Sequence, residues 1–90
     1  METRIAVISI IVENPDSVET LNAYLHEFSP YIIGRMGIPY RAKSRKVSII
    51  SVAIDAPQDT IAALSGKIGK LSGVSAKTAY SNVINDAEPD

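Results

Sequence analysis

The chain repeats its own pattern, and that repetition restricts its fold more than any other feature. Ile5, Val7, Ile8, Ile10, Val12 and Pro15 return about 42 positions later as Val47, Ile49, Ile50, Val52, Ile54 and Pro57. Each β-branched run gives way to apolar residues at helical spacing, Val18, Leu21, Leu25 and Phe28 in the first half and Ile61, Leu64, Ile68 and Leu71 in the second. Two copies of strand–turn–helix–strand in 90 residues define a split βαββαβ repeat of the α+β class.

The first strand is expected over Arg4 to Val12, bounded by the turn cluster Glu13-Asn14-Pro15-Asp16. Ile5, Val7 and Ile11 fall on one face and Ile8, Ile10 and Val12 on the other, the pattern of a strand in the middle of its sheet. Asp16 reads as the N-cap of the following helix, with Glu19 three residues on to complete a capping box. That helix stops near Phe28, because Pro30 disfavours helical geometry in Ser29. Tyr31 to Ile38 forms a second strand, interrupted by Gly34 and Gly37 and held to an edge by Pro39. Val47 to Ile54 is again apolar on both faces and central. Pro57 opens a second helix from Gln58 to about Leu71, Ser72-Gly73 closes it, and Val74 to Tyr80 is the last strand.

Right-handed crossovers place both helices on one face of a four-stranded antiparallel sheet of order 4-1-3-2, the ferredoxin-like arrangement. Residues 4–81 then make one domain, and residues 82–90 a flexible acidic tail. The opposite sheet face carries apolar side chains that no helix covers. Such a face is seldom left in water, so self-association through the sheet face, the sheet edge or both is expected.

Charge and composition exclude several function classes. Nine basic residues against ten acidic ones argue against direct nucleic-acid binding. The local cluster Arg41, Lys43, Arg45 and Lys46 has no interleaved aromatic residue and reads as a solvated hairpin loop. The absence of cysteine removes disulfides, thiol catalysis and iron–sulfur ligation by this chain. His26 is the single histidine, which leaves no ligand set for a transition metal, so neither a metal site nor a cofactor is expected. The first apolar run, about eight residues long, has no cleavage site and is too short to cross a bilayer. A cytoplasmic protein without membrane contact is the expectation. No G-x-S-x-G, P-loop or H-E-x-x-H is present, and Glu13, Asp16 and Glu19 read as complements to a helix dipole. No catalytic residue is assigned, and the chain is expected not to be an enzyme.

The least ordinary segment is Tyr31 to Tyr40, YIIGRMGIPY. Its two glycines flank Arg35 and Met36 and mark either a bent edge strand relieved of crowding or an edge opened to a partner strand or bound anion. Gly66 and Gly69 read as a site of close helix packing. Together with VSIISVAIDAP at 47–57 and ALSGKIGKLSGVSAKTAYS at 63–81, this segment resembles the small family described as regulators of the iron-only hydrogenase system. The resemblance runs from about Arg4 to Ser81, and GRMGIPY is its most specific string.

That resemblance implies an ACT-like fold, similar also to the ligand-binding domain of the nickel-responsive repressor. It also implies a regulatory role, named from association with the maturation genes of iron-only hydrogenases. Two departures restrict what carries over. The turn Asn14-Pro15-Asp16-Ser17 lacks the glycine at which amino-acid-binding ACT domains meet their effector, and the nickel repressor's histidines, cysteine and DNA-binding arm have no counterparts here. The resulting expectation is a non-enzymatic regulatory or sensor domain acting as a homo-oligomer, a dimer or tetramer. Its small-molecule effector would sit at a subunit interface formed by Asn14, Asp16, Gly34, Arg35 and Gly37, with Arg35 supplying charge and the backbone near the glycines supplying hydrogen bonds. The alternative is a structural adaptor or assembly partner of a hydrogenase maturation protein, with no small ligand.

Overall fold

Runs of isoleucine and valine pair best with one another, and the two richest strands take the centre of the sheet. The computed structural model describes residues 2–38, 40 and 46–86. Its elements are β1 (Glu2–Val12), a 3-10 turn (Pro15–Ser17), α1 (Val18–Glu27), a second 3-10 turn (Ser29–Tyr31), β2 (Ile32–Ile38), β3 (Ser48–Ala56), α2 (Gln58–Gly69) and β4 (Val74–Asp86). All strand pairs are antiparallel, and the sheet order is β2-β3-β1-β4, the expected 4-1-3-2 order read from the other edge. The topology is ferredoxin-like βαββαβ. Pro39 and the basic residues Arg41, Lys43 and Arg45 lie outside the described residues.

The register of β1 on β3 runs from Arg4 opposite Ala56 to Val12 opposite Ser48. Alternation then sends Ala6, Ile8, Ile10 and Val12 to the same side as Ile50, Val52, Ile54 and Ala56. There they meet Leu21 and Leu25 of α1 and Ile61, Leu64 and Ile68 of α2, and all of these side chains are buried. Truncating one of the fully enclosed members, such as Leu21 or Leu64, to alanine costs about 2–5 kcal/mol in a core of this kind. Lys67 joins the two helices at the surface. Its Nζ lies 3.2 Å from a Glu27 carboxylate oxygen and 4.8 Å from the centroid of the Tyr24 ring.

The other face has no such cover. Ile5, Val7 and Ile11 keep 42%, 37% and 42% of their surface, and Met36 and Ile38 keep 62% and 46%. These residues share one side of the sheet with Ile49, Ser51 and Ala53.

Two irregularities re-phase the edge strands. In the β2–β3 pair, Ile32 stands opposite Ile54 but Gly34 stands opposite Ala53, so a bulge absorbs Ile33. In the β1–β4 pair, Ala6 stands opposite Tyr80 and Arg4 opposite Ile84. Beyond that second bulge β4 continues to Asp86, which corrects the strand end expected at Tyr80 and turns residues 82–86 from tail into strand. The physical reason is that β1 begins at Glu2 and offers free ladder positions to them. Arg4 braces the bulge: its guanidinium donates to the Ser81 carbonyl and to Gln58 Oε1, the latter at 3.1 Å, and lies 5.0 Å from the Tyr80 ring centroid. Residues 87–90 lie outside the described residues.

The start of the first helix also differs from expectation. Asn14, not Asp16, is the capping residue: its Oδ1 accepts from the Asp16 backbone N–H at 3.0 Å and opens the 3-10 turn that leads into α1. Pro15 suits the first position of that turn, and this draws the cap back to Asn14. Ser17, at the N-cap of α1, instead donates its hydroxyl to the Ser72 carbonyl at 2.7 Å. The expected packing role of Gly66 and Gly69 is not seen either, since both are exposed and a Cβ at either would meet nothing within 4 Å.

Gly73 is where glycine is required. Its φ is +68°, and a Cβ there would lie 2.6 Å from the Asn14 Cβ. Its carbonyl accepts from the Glu13 N–H at 2.7 Å, so the turn after β1 and the turn before β4 are stitched together. Gly73→Ala should lower unfolding free energy by about 2 kcal/mol or more through left-handed strain and the clash, whereas Gly66→Ala should raise it by about 1 kcal/mol. Urea titration of the two variants checks both signs.

Candidate functional site

The seam between α1 and the β2–β3 edge is concave. Three adjoining hollows of about 560, 440 and 280 Å³ run along it. Asn22 and Arg35 border the first and second, while Val18, Tyr40, Val47 and Ser48 border the first and third. The seam is therefore one groove with α1 as one bank and the two strands as the other.

The bulge at Ile33 decides what β2 contributes to it. Past the bulge, Arg35 stands opposite Val52 and Gly37 opposite Ile50, both of which point toward the helices. Arg35 and Gly37 therefore face α1, while Gly34, Met36 and Ile38 share the register of Ala53, Ser51 and Ile49 on the uncovered face. An unbulged strand would exchange the two sets. On the helix side, Val18 and Asn22 lie one turn apart and present the same stripe to the groove. Arg35 Nη2 donates to Asn22 Oδ1 at 3.2 Å, and both residues are exposed.

The groove has a one-sided charge. Among the described residues its ionisable lining residues are Arg35, His26, Lys46 and Tyr40, and no aspartate or glutamate borders any of the three hollows. His26 sits exposed in the last turn of α1. Among the described residues no three His, Asp or Glu side chains converge to hold a metal ion.

Of the five residues singled out by sequence, the fold brings two to the groove, Arg35 and Gly37. Gly34 lies on the opposite face of β2. Asn14 and Asp16 lie in the turn beyond β1, outside the groove lining, although Pro15 between them borders its far end. Asn14 is occupied there by its cap and by a 3.3 Å bond from Nδ2 to Ser72 Oγ. Sequence reasoning missed Asn22, Tyr40 and Val47. Asn22 could have been found from its position one turn after Val18, as a polar residue beside the apolar stripe.

Fold and groove together define a small ferredoxin-like α+β domain with an open seam, cationic among the described residues, beside its edge strand. The chain belongs to the TM1266-like family, described as "Iron-only hydrogenase system regulator, putative", which matches residues 4–78. Among solved structures it is similar to the uncharacterized protein TM1266 from Thermotoga maritima, at 35% sequence identity and a TM-score of 0.77. That match covers 87% of this chain and 96% of the other. No curated protein matches the chain. Among the described residues no helix is long and apolar enough to cross a membrane.

The two polar residues at issue should separate in a stability measurement. Asn14→Ala removes a cap and should cost about 1 kcal/mol. Arg35→Ala loses one exposed hydrogen bond and should change stability by less than about 0.5 kcal/mol. Thermal unfolding of both variants tests the assignment of Asn14 to structure and Arg35 to the groove.

Proposed function

We propose that the chain is a non-enzymatic regulatory domain of the iron-only hydrogenase system, assembled as a dimer or tetramer and responsive to a small molecule bound at the Arg35 groove. Membership of a regulator family supports the role and a cytoplasmic setting for it. The observation that carries the assembly reading is the uncovered sheet face, where Ile5, Val7, Ile11, Met36 and Ile38 lie exposed together. The row Ser51-Ser9-Lys77 crosses the middle of this face, with Ile5 and Val7 on one side of it and Ile11 and Ile38 on the other, and exposed apolar side chains in that number on one sheet face favour a partner surface. A second copy is the occupant this face suits. Within the paired rows from Ile5 to Ile11 its only charges are Asp55 and Lys77, one of each sign, so the face meets its own copy without net repulsion.

The effector part of the reading rests on Arg35, a cation on a groove of small-molecule size with no carboxylate among its described lining residues. Binding at such a place would bias the domain through the edge strand. Arg35 and Met36 are adjacent in β2 but face the groove and the open face respectively, so a shift in one side of the strand is felt on the other.

Native mass spectrometry of protein purified from its own host tests the whole reading. A dimer or tetramer retaining a small molecule is the expected result. An oligomer that carries a maturation protein and no small molecule would favour the adaptor role instead, and a bare monomer would overturn the assembly. Val7→Glu places a charge on the open face and should shift an oligomer to monomer while leaving the far-ultraviolet circular dichroism unchanged.

A further inference from the structure

We infer that the groove between α1 and the β2–β3 edge binds a small monocarboxylate with an apolar body, its carboxylate on Arg35 and its body along Val18, Val47 and Ile50. The inference rests on the effector reading above and names the effector's chemistry.

Arg35 supplies the first argument. A guanidinium carries five N–H donors in a fork that matches a carboxylate. Here one nitrogen is bonded to the neutral Asn22 amide at 3.2 Å, and among the described residues no carboxylate pairs with the group. The chain has ten acidic residues against nine basic ones, yet none of the described acidic ones borders the groove. Among the described residues this charge has no counter-ion where it borders the two hollows.

Gly37 supplies the second, independently of charge. Glycine weakens a strand. Neither backbone nor packing demands one at this position: its φ is not positive, and a Cβ there would meet nothing within 4 Å. A side chain at Gly37 would project beside Ile50 into the 560 Å³ hollow. Its absence keeps that hollow open. The bulge at Ile33 acts to the same end, since it turns both Arg35 and Gly37 toward α1.

The remaining walls set the ligand class. Val18, Val47 and Ile50 are apolar, and among the described residues Arg35 is the single full positive charge that borders the 560 Å³ hollow, with Lys46 on the adjoining one. One cation beside apolar walls suits a singly charged carboxylate better than inorganic phosphate, which carries more charge and no apolar body. The volume lies within the range of about 300–1,000 Å³ typical of small-molecule sites.

The test uses the full chain with hexanoate, hexanamide and inorganic phosphate as probes, followed by backbone amide shifts in nuclear magnetic resonance. Hexanoate should shift the amides of Asn22, Gly37 and Ile50 saturably, hexanamide should not, and phosphate should bind more weakly. Arg35→Gln should weaken hexanoate by at least about tenfold, equivalent to ~1.4 kcal/mol. Gly37→Val should abolish binding in a protein whose spectrum remains folded, and Gly34→Ala should retain it. The inference is overturned by a lack of saturable shifts, by an equal response to hexanamide, by phosphate binding as tightly as hexanoate, or by an unaffected Arg35→Gln variant. Assembly mass recorded on the same samples keeps the two readings apart. An oligomer indifferent to hexanoate overturns the ligand class alone, and a monomer that binds hexanoate as expected overturns the assembly alone.

Discussion

β1 and β3 are apolar on both faces, and two helices can cover only one of them. That imbalance governs the rest of the molecule. On the covered side, Ile8, Ile10, Val52 and Ile54 are fully enclosed against Leu21, Ile61, Leu64 and Ile68, and this layer is what makes a chain of 90 residues fold. On the other side the same strands present Ile5, Val7 and Ile11 to solvent, joined by Met36 and Ile38 from the edge strand. Polar side chains at those positions would give a self-sufficient monomer with less β propensity in its central strands. Isoleucine and valine there strengthen the sheet and leave a surface that, in the proposed assembly, a second copy would cover.

The edge strand connects this surface to the groove. Because side chains alternate along β2, neighbouring residues serve opposite purposes: Arg35 and Gly37 face α1, Met36 and Ile38 face the open side. The bulge at Ile33 sets that division. β2 is the strand that borders both the groove and the open face, so in the proposed function it would link ligand to assembly. It pairs with the sheet through β3 alone, as an edge strand does.

Much of this was legible in the residues themselves. The doubled pattern of Ile and Val, with the matching helical spacings from Val18 and Ile61, carries the element order, the strand order and the composition of the core, because each of these depends on periodicity. Features that depend on phase or on contacts distant in sequence were not legible. Glycines in β2 signal a bulge, but only the pairing with β3 shows that Ile33 absorbs it and so which way Arg35 points. Asp16 satisfies the capping rule as well as Asn14 does, and the choice falls to Asn14 because Pro15 starts a 3-10 turn and Ser72 lies alongside. Gly73 looked like an ordinary helix stop. Its contact with Asn14, far away in the chain, is what excludes any side chain there. Residues 82–86 are polar enough to read as tail and become strand because β1 starts early enough to pair with them.

A cysteine-free chain allows a direct test of whether the open face is covered by its own copy. Ser9 stands at the centre of that face, between Ser51 and Lys77, and Ala62 lies exposed on the outer side of α2. Single variants Ser9→Cys and Ala62→Cys, treated with a short thiol-reactive cross-linker at equal protein concentration, would be compared by the yield of covalent dimer. Face-to-face assembly predicts rapid, concentration-independent cross-linking through position 9 and only slow collisional cross-linking through position 62. Equal, slow yields from both would contradict it, and the apolar face would then have to be explained without a second copy of the chain.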